Sequence, residues 1–76
     1  TNEKAAMKLT INGELKNIKA DQSSLSLSDL IKQLGHHPRL IVVELNGTIL
    51  PPVNWDNAQI YDGDSLEIVT IVGGGS

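Results

Sequence analysis

Cysteine is absent from the 76 residues of the chain, which excludes disulfide bonds, thiolate metal sites and a cysteine nucleophile. Small domains without disulfides are typical of a reducing compartment, so we expect a cytoplasmic protein. No apolar run approaches the roughly 18 residues of a transmembrane helix, and we expect no membrane partner. The aromatic residues are Trp55 and Tyr61 alone, and without basic neighbours they favour packing together beneath a loop over base stacking.

Positive charge is also scarce, because six lysine and arginine residues stand against nine carboxylates and give a net charge of -3. The basic residues are scattered, so no stripe is available to neutralise phosphates, and we expect no nucleic-acid partner. The length allows one small domain, which buries only about 60% of its unfolded surface. A substrate pocket would compete with so small a core, which favours a binding or carrier module rather than an enzyme.

The first part of the chain carries the pattern of a β-hairpin. Apolar and polar residues alternate over residues 7–12, which predicts a half-buried strand with the odd-numbered side chains inward. Asn12–Gly13 is a hairpin turn sequence, so a second strand over residues 14–20 should return alongside the first. Leu15 and Ile18 have opposite parity in that strand, which leaves either a bulge near the turn or an edge position open.

A short helix is predicted after a polar loop at residues 21–25. Ser26 is a suitable N-cap, and Asp29, three residues later, completes a capping box. Leucine and isoleucine then recur at spacings of three and four and form one apolar stripe. Gly35 suits the left-handed position after the helix, and Pro38 cannot continue it.

The second half of the chain contains three further predicted strands. Residues 40–45 are rich in β-branched side chains, which indicates a strand buried on much of both faces. Asn46–Gly47 predicts a turn into a short strand at residues 48–50. The segment 53–60 is expected to be a loop with one helical turn, and residues 65–72 form the last strand.

The order of these elements gives the fold prediction. We expect an α+β domain of the β-grasp, or ubiquitin-like, class, in which one helix lies across a mixed four- to five-stranded sheet. The last strand should pair with the first at the centre of the sheet. The domain is predicted at residues 7–72, preceded by residues 1–6 as an extension or cloning remnant and followed by a glycine tail at residues 73–76.

The tail is the first candidate for function. Glycines after a buried strand have no packing role, since glycine is costly to order and has no side chain to bury. An extended Gly73–Gly75 segment suits threading into a narrow channel of a partner, although a frayed terminus or an engineered linker would have the same composition. In the strand before the tail, every second side chain should point outward, and these are Glu67, Val69 and Ile71. Together with Val72 they form a candidate patch for docking a partner.

Several segments resemble the ThiS family, the sulfur carriers of thiamine biosynthesis. The segment 62–75 is similar to the C-terminus of that family in its acidic-Gly-Asp turn, its apolar strand and its diglycine at this spacing. Upstream, the strand and turn at residues 7–13, the leucine-rich helix at residues 30–34 and the segment 43–47 resemble the corresponding parts of the family. Almost all of residues 7–75 is covered by the resemblance.

This resemblance implies a chemical role for the tail. Gly75 would be the residue that is adenylated by a ThiF-like enzyme and then carries sulfur as a thiocarboxylate, with Gly73 and Gly74 threading into the partner. A persulfide would donate the sulfur, and a ThiG-like thiazole synthase would receive it. The sequence contains no Gly-x-x-x-x-Gly-Lys-Ser/Thr motif, so no cofactor is expected to bind here and ATP belongs to the activating partner.

One residue departs from the family pattern, and other functions remain open. Gly75 is joined to Ser76, which blocks its carboxylate unless Ser76 is removed by a protease or was added in cloning; otherwise the chain is a blocked form. Within the same fold the alternative is a MoaD-like small subunit of molybdopterin synthase. A ubiquitin-like protein modifier and a plain interaction domain with an artificial linker are the alternatives from other classes.

The remaining polar motifs do not predict a metal site. His36 and His37 are adjacent after a helix and point apart, with no third ligand near them in sequence, so a solvated loop is expected. The turn at residues 62–64 is too short for a calcium loop and lacks a bidentate glutamate at the proper spacing. No base is placed beside a serine nucleophile, and no catalytic residue is expected.

Overall fold

A regular hairpin opens the fold. The computed structural model of the chain describes residues 5–20 and 24–71. Strand β1 (Ala5–Ile11) pairs antiparallel with β2 (Glu14–Ala20) without interruption from Ala5 opposite Ala20 to Ile11 opposite Glu14. The pairing therefore contains no bulge, and the edge alternative is the one observed, because Leu15 is exposed on the outer face of an edge strand while Ile18 is buried.

The α-helix begins and ends where its capping residues predict. Helix α1 (Leu27–Leu34) follows a short strand, β3 (Ser24–Ser26), and the Ser26 side chain accepts a hydrogen bond from the backbone N–H of Asp29. Gly35 adopts a left-handed conformation with φ 80° and ends the helix. Only the Ser26 half of the predicted capping box is formed among the described contacts, so this end is held by one side chain rather than two.

Four further strands follow the helix along the chain. They are β4 (Ile41–Leu45), β5 (Thr48–Leu50), β6 (Gln59–Tyr61) and β7 (Ser65–Thr70), with 3-10 turns at Pro38–Leu40 and Pro52–Asn54. Leu40 thus belongs to a turn and not to β4, because Pro38 starts a helical turn with its fixed φ. The prediction of a strand buried on both faces is wrong for β4, since Ile41 and Val43 are buried but Val42 is 38% exposed.

The strands form one mixed sheet of five in the order β2-β1-β7-β4-β5. Strand β7 lies at its centre, parallel to β1 and antiparallel to β4, so the predicted pairing of the first and last strands is confirmed. The helix covers one face, and Leu27, Leu30 and Ile31 share a single apolar core with residues of the sheet. This is the α+β, β-grasp arrangement expected from the element order.

A second sheet of two short strands was not predicted. Strands β3 and β6 pair antiparallel through Leu25 opposite Ile60, and Ile60 is fully buried. The prediction that Trp55 and Tyr61 pack together beneath a loop is wrong. Trp55 is buried in the main core and donates its indole N–H to the Leu50 carbonyl at 2.8 Å, while Tyr61 is 53% exposed.

A side chain of the helix binds the outer edge of β2 at one residue. The Gln33 amide accepts a hydrogen bond from the Lys19 backbone N–H at 3.2 Å and donates one to the Lys19 carbonyl at 3.0 Å. A single side chain thereby satisfies both backbone groups of an edge residue and ties the helix to the sheet.

Candidate functional site

The candidate site starts at the end of β7, the central strand that leads towards the glycine tail. Val72 and Gly73–Gly75, the predicted docking residue and the predicted threading and acceptor glycines, lie outside the described residues. The structure instead describes the platform from which they continue. Two turn asparagines bind β7 through hydrogen bonds, and the aspartate turn that precedes β7 binds β1.

Asn12 extends the pairing of β1 with β7 beyond the last residue of β1. Its backbone adopts a left-handed conformation with φ 54°, which asparagine tolerates better than most residues. Its side-chain amide accepts a hydrogen bond from the Ile68 N–H at 2.7 Å and donates one to the Ile68 carbonyl at 3.1 Å. The side chain therefore takes the place of one more strand residue and satisfies both backbone groups of Ile68.

Asn46 performs a related role on the other side of β7. It is also left-handed, with φ 50°, and its backbone N–H donates to the Ser65 carbonyl at 2.7 Å. The Ser65 N–H donates to the Asn46 Oδ1 at 2.9 Å, and the Asn46 amide donates to Asp64 Oδ1 at 3.2 Å. The start of β7 is thus fixed to the β4–β5 turn.

The acidic turn before β7 is structural in the described contacts. Asp62 Oδ1 accepts a hydrogen bond from the Lys8 N–H at 2.6 Å, and the Asp64 carbonyl accepts one from the Thr10 N–H at 3.0 Å. Asp64 Oδ2 accepts a further bond from the Tyr61 N–H at 2.9 Å. The Asp62 carboxylate and the Asp64 carbonyl thus tie the turn to β1, and the Asp64 carboxylate closes the turn itself.

The predicted outward residues of β7 are exposed. Val69 is 59% exposed and Ile71 is 47% exposed, and Glu67, on the same strand, is exposed as well. Their neighbours Leu66 and Ile68 are buried, so the strand alternates as the sequence pattern predicts. The face of the sheet opposite the helix therefore presents apolar side chains directly before the tail.

Three further apolar side chains on this face were missed by the sequence analysis. Val42 lies directly opposite Val69, and the Ile71 N–H donates to the Leu40 carbonyl at 2.6 Å, which places Leu40 beside Ile71. Leu40 is 47% exposed, and Ile49 of β5 is 60% exposed. We call these side chains the apolar face: Leu40, Val42, Ile49, Val69 and Ile71.

Two carboxylates interrupt the apolar face. Glu44 of β4 lies directly opposite Glu67 of β7 and, on its other side, directly opposite Ile49 of β5. Glu67 is exposed and Glu44 is half-buried. Antiparallel pairing was the signal that could have located Glu44, since it places every second residue of β4 beside the outward residues of β7.

No group of three or more potential metal ligands occurs within residues 5–20 and 24–71. His37 caps the 3-10 turn instead, because its Nδ1 accepts a hydrogen bond from the Arg39 N–H at 3.3 Å. In the same ranges, no helix has the length and apolar character needed to cross a membrane.

The chain is similar to several known proteins over most of its length. The model of the ThiS family matches residues 9–75. A thiazole synthase of Paramagnetospirillum magneticum is 43% identical over 70 residues, which are 92% of this chain but only 21% of that protein. An uncharacterized protein, ycf40, of Porphyra purpurea is 40% identical over 67 residues, covering 88% of this chain and 90% of that one.

The fold is shared with a solved structure of comparable size. The crystal structure of the thiamine biosynthesis protein ThiS from Geobacter metallireducens superposes with a TM-score of 0.77 at 33% identity, over 91% of this chain and all of that one. A solution structure of a thiamine biosynthesis protein from the same organism gives a TM-score of 0.75 at 32% identity.

Proposed function

The chain belongs to the ThiS family, and from this premise we propose that it is a sulfur carrier that holds sulfur as a thiocarboxylate on Gly75. The observation that carries the proposal is the extent of the family match, which runs through the diglycine to residue 75. The absence of cysteine supports it, because a carrier without a thiol must hold its sulfur on another group.

The proposed reaction begins by activating the carboxylate of Gly75. Carboxylate oxygen is a poor leaving group, so a ThiF-like enzyme transfers AMP from ATP to it and releases pyrophosphate. The terminal sulfur of a persulfide then attacks the acyl carbon and displaces AMP. A second thiol cleaves the resulting sulfur–sulfur bond, which leaves the thiocarboxylate on Gly75 and a disulfide on the donor side.

This reaction requires a free carboxylate on Gly75. In the present sequence Gly75 is followed by Ser76, and an amide carbonyl cannot be adenylated in the same way. The carrier role therefore applies to the chain that ends at Gly75, and hydrolysis of the Gly75–Ser76 bond must come first in any longer form.

The proposed recipient of the sulfur is a ThiG-like thiazole synthase. The relative from Paramagnetospirillum magneticum bears that name, and the segment similar to this chain makes up 21% of its length. A protein named as a thiazole synthase thus contains a segment similar to this chain. This supports the thiamine pathway over a MoaD-like role in molybdopterin synthesis.

The apolar face is the proposed docking surface for these enzymes. Gly75 lies four residues after Ile71, and an extended chain of four residue steps spans at most about 14 Å. An enzyme that holds Gly75 in its active site must therefore approach Val69 and Ile71 closely. Exposed apolar side chains in such a position favour contact with a partner.

Intact-mass measurement tests the proposal. The chain ending at Gly75 is incubated with a ThiF-like enzyme, ATP and a persulfide donor, and we expect a mass gain equal to the replacement of one oxygen by sulfur. The chain ending at Ser76 is the matched control and should keep its mass, and Gly75→Ala in the shorter chain should fold normally but fail to be activated. An unchanged mass for the chain ending at Gly75 would contradict the carrier role, and a ladder of conjugates in cells would indicate a protein modifier.

A further inference from the structure

Glu44 and Glu67 form a cross-strand pair of like charge inside the apolar face. The register of β4 and β7 places the two residues directly opposite each other, where side chains point to the same side of the sheet. Val42 and Val69 form the next outward pair along the same two strands, and Ile49 lies on the far side of Glu44. The two carboxylates are thus bordered by apolar side chains.

Such a pair is unfavourable in the isolated protein. Like charges directly opposite on one face of an antiparallel pair are destabilising. Within residues 5–20 and 24–71, neither carboxylate accepts a hydrogen bond or forms an ion pair, and the ion pair described there joins Lys16 to Glu14 on β2. The pair therefore lacks a compensating cation in the part of the chain that the structure describes.

We propose that Glu44 and Glu67 together bind one arginine side chain of the adenylating enzyme that docks on the apolar face. This inference rests on the proposed function and names the chemistry of its docking surface. A guanidinium is planar and carries five N–H donors, so it can donate to two neighbouring carboxylates at once. A lysine ammonium is a compact point charge and fits two separate carboxylates less well.

The surroundings of the pair strengthen this contact. When a partner covers Val42, Val69 and Ile49, water is removed from around the carboxylates, and charge-assisted hydrogen bonds gain strength in a medium of lower dielectric constant. The same loss of water carries a high free-energy cost when the two carboxylates have no cation beside them. A partner surface without a matching cation is therefore rejected, which gives the docking step its selectivity.

Charge removal on this face tests the inference. We expect Glu44→Gln combined with Glu67→Gln to raise the Kd for the adenylating enzyme about tenfold or more, because the charge-assisted bonds are lost. The salt dependence of Kd should weaken at the same time. The unfolding midpoint should stay equal or rise, since a like-charge pair has been removed, and a merely structural pair would lower it. Glu14→Gln on β2 is the matched control and should leave Kd unchanged.

The outcomes separate this inference from the proposed function. A double variant that binds within about twofold of the unmodified chain overturns the arginine contact, even when Gly75 still gains sulfur. Conversely, a chain that ends at Gly75 and keeps both glutamates, and that binds tightly but never gains sulfur, overturns the carrier role and leaves the contact standing. A double-mutant cycle with each exposed arginine of the enzyme should identify one residue whose loss is not additive with the loss of the two glutamates.

Discussion

Replacing Asn12 by glycine should destabilise the protein by removing two hydrogen bonds while leaving the turn conformation accessible. Glycine adopts a φ near 54° without strain, so the substitution isolates the side-chain bonds to Ile68. Each bond contributes about 1 kcal/mol net, and glycine adds a few tenths through greater freedom of the unfolded chain. We therefore expect the free energy of unfolding to fall by about 2 kcal/mol, which lowers Tm by roughly 8–16 °C in a domain of this size.

Two further variants complete this prediction. Asn12→Ala removes the same bonds and also places a Cβ-bearing residue without a polar side chain at positive φ, which should cost about 1 kcal/mol more. Asn17→Ala on β2 is the control, because Asn17 is exposed and makes no side-chain hydrogen bond within the described ranges. Its effect should stay within about 0.5 kcal/mol.

Urea unfolding followed by tryptophan fluorescence provides the assay, since Trp55 is the single tryptophan and is buried in the core. Amide exchange at Ile68 gives a local readout and should accelerate in Asn12→Gly more than at residues paired with β4. The reasoning is refuted if Asn12→Gly unfolds within about 0.5 kcal/mol of the unmodified chain, because the bonds to Ile68 would then contribute nothing.

Two other predictions concern side chains of opposite burial. Val69→Asp should leave the free energy of unfolding within about 0.5 kcal/mol, because Val69 is 59% exposed. The same variant should raise the Kd for the adenylating enzyme, measured by calorimetry. Leu15→Asp is the control and should leave Kd unchanged, because Leu15 is exposed on the edge strand β2 and does not belong to the apolar face. A large loss of stability in Val69→Asp would instead place that side chain in the core. Trp55→Phe should cost about 1–3 kcal/mol, measured by circular dichroism in urea, because the Leu50 carbonyl loses its indole donor; an unchanged midpoint would show that water replaces the donor freely.

The elements of the fold that could be predicted are those marked by patterns among residues close together in the sequence. Alternation located β1 and β7, and capping residues located the helix at Ser26 and Gly35. The short strands β3 and β6 were missed, because three residues are too few to show a period of two. Their pairing depends on contacts such as that of Leu25 with Ile60, which are distant in sequence.

The candidate site was predictable along one strand but not across strands. The parity of β7 correctly exposed Val69 and Ile71, because alternation is a property of consecutive residues. The contribution of Val42 and the opposition of Glu44 to Glu67 depend on the register between β4 and β7, which is set by long-range contacts. The β-branched composition of β4 suggested burial on both faces and so hid its outward residues.

The hydrogen bonds between Gln33 and Lys19 have a consequence for self-association. A long edge strand such as β2 offers unpaired backbone groups to which a second copy could add its own strand, and repetition of that step builds polymers. Gln33 occupies the positions at Lys19 that an incoming strand would use. The helix thus blocks the addition of a strand at this position of β2, while the apolar face on the sheet remains exposed.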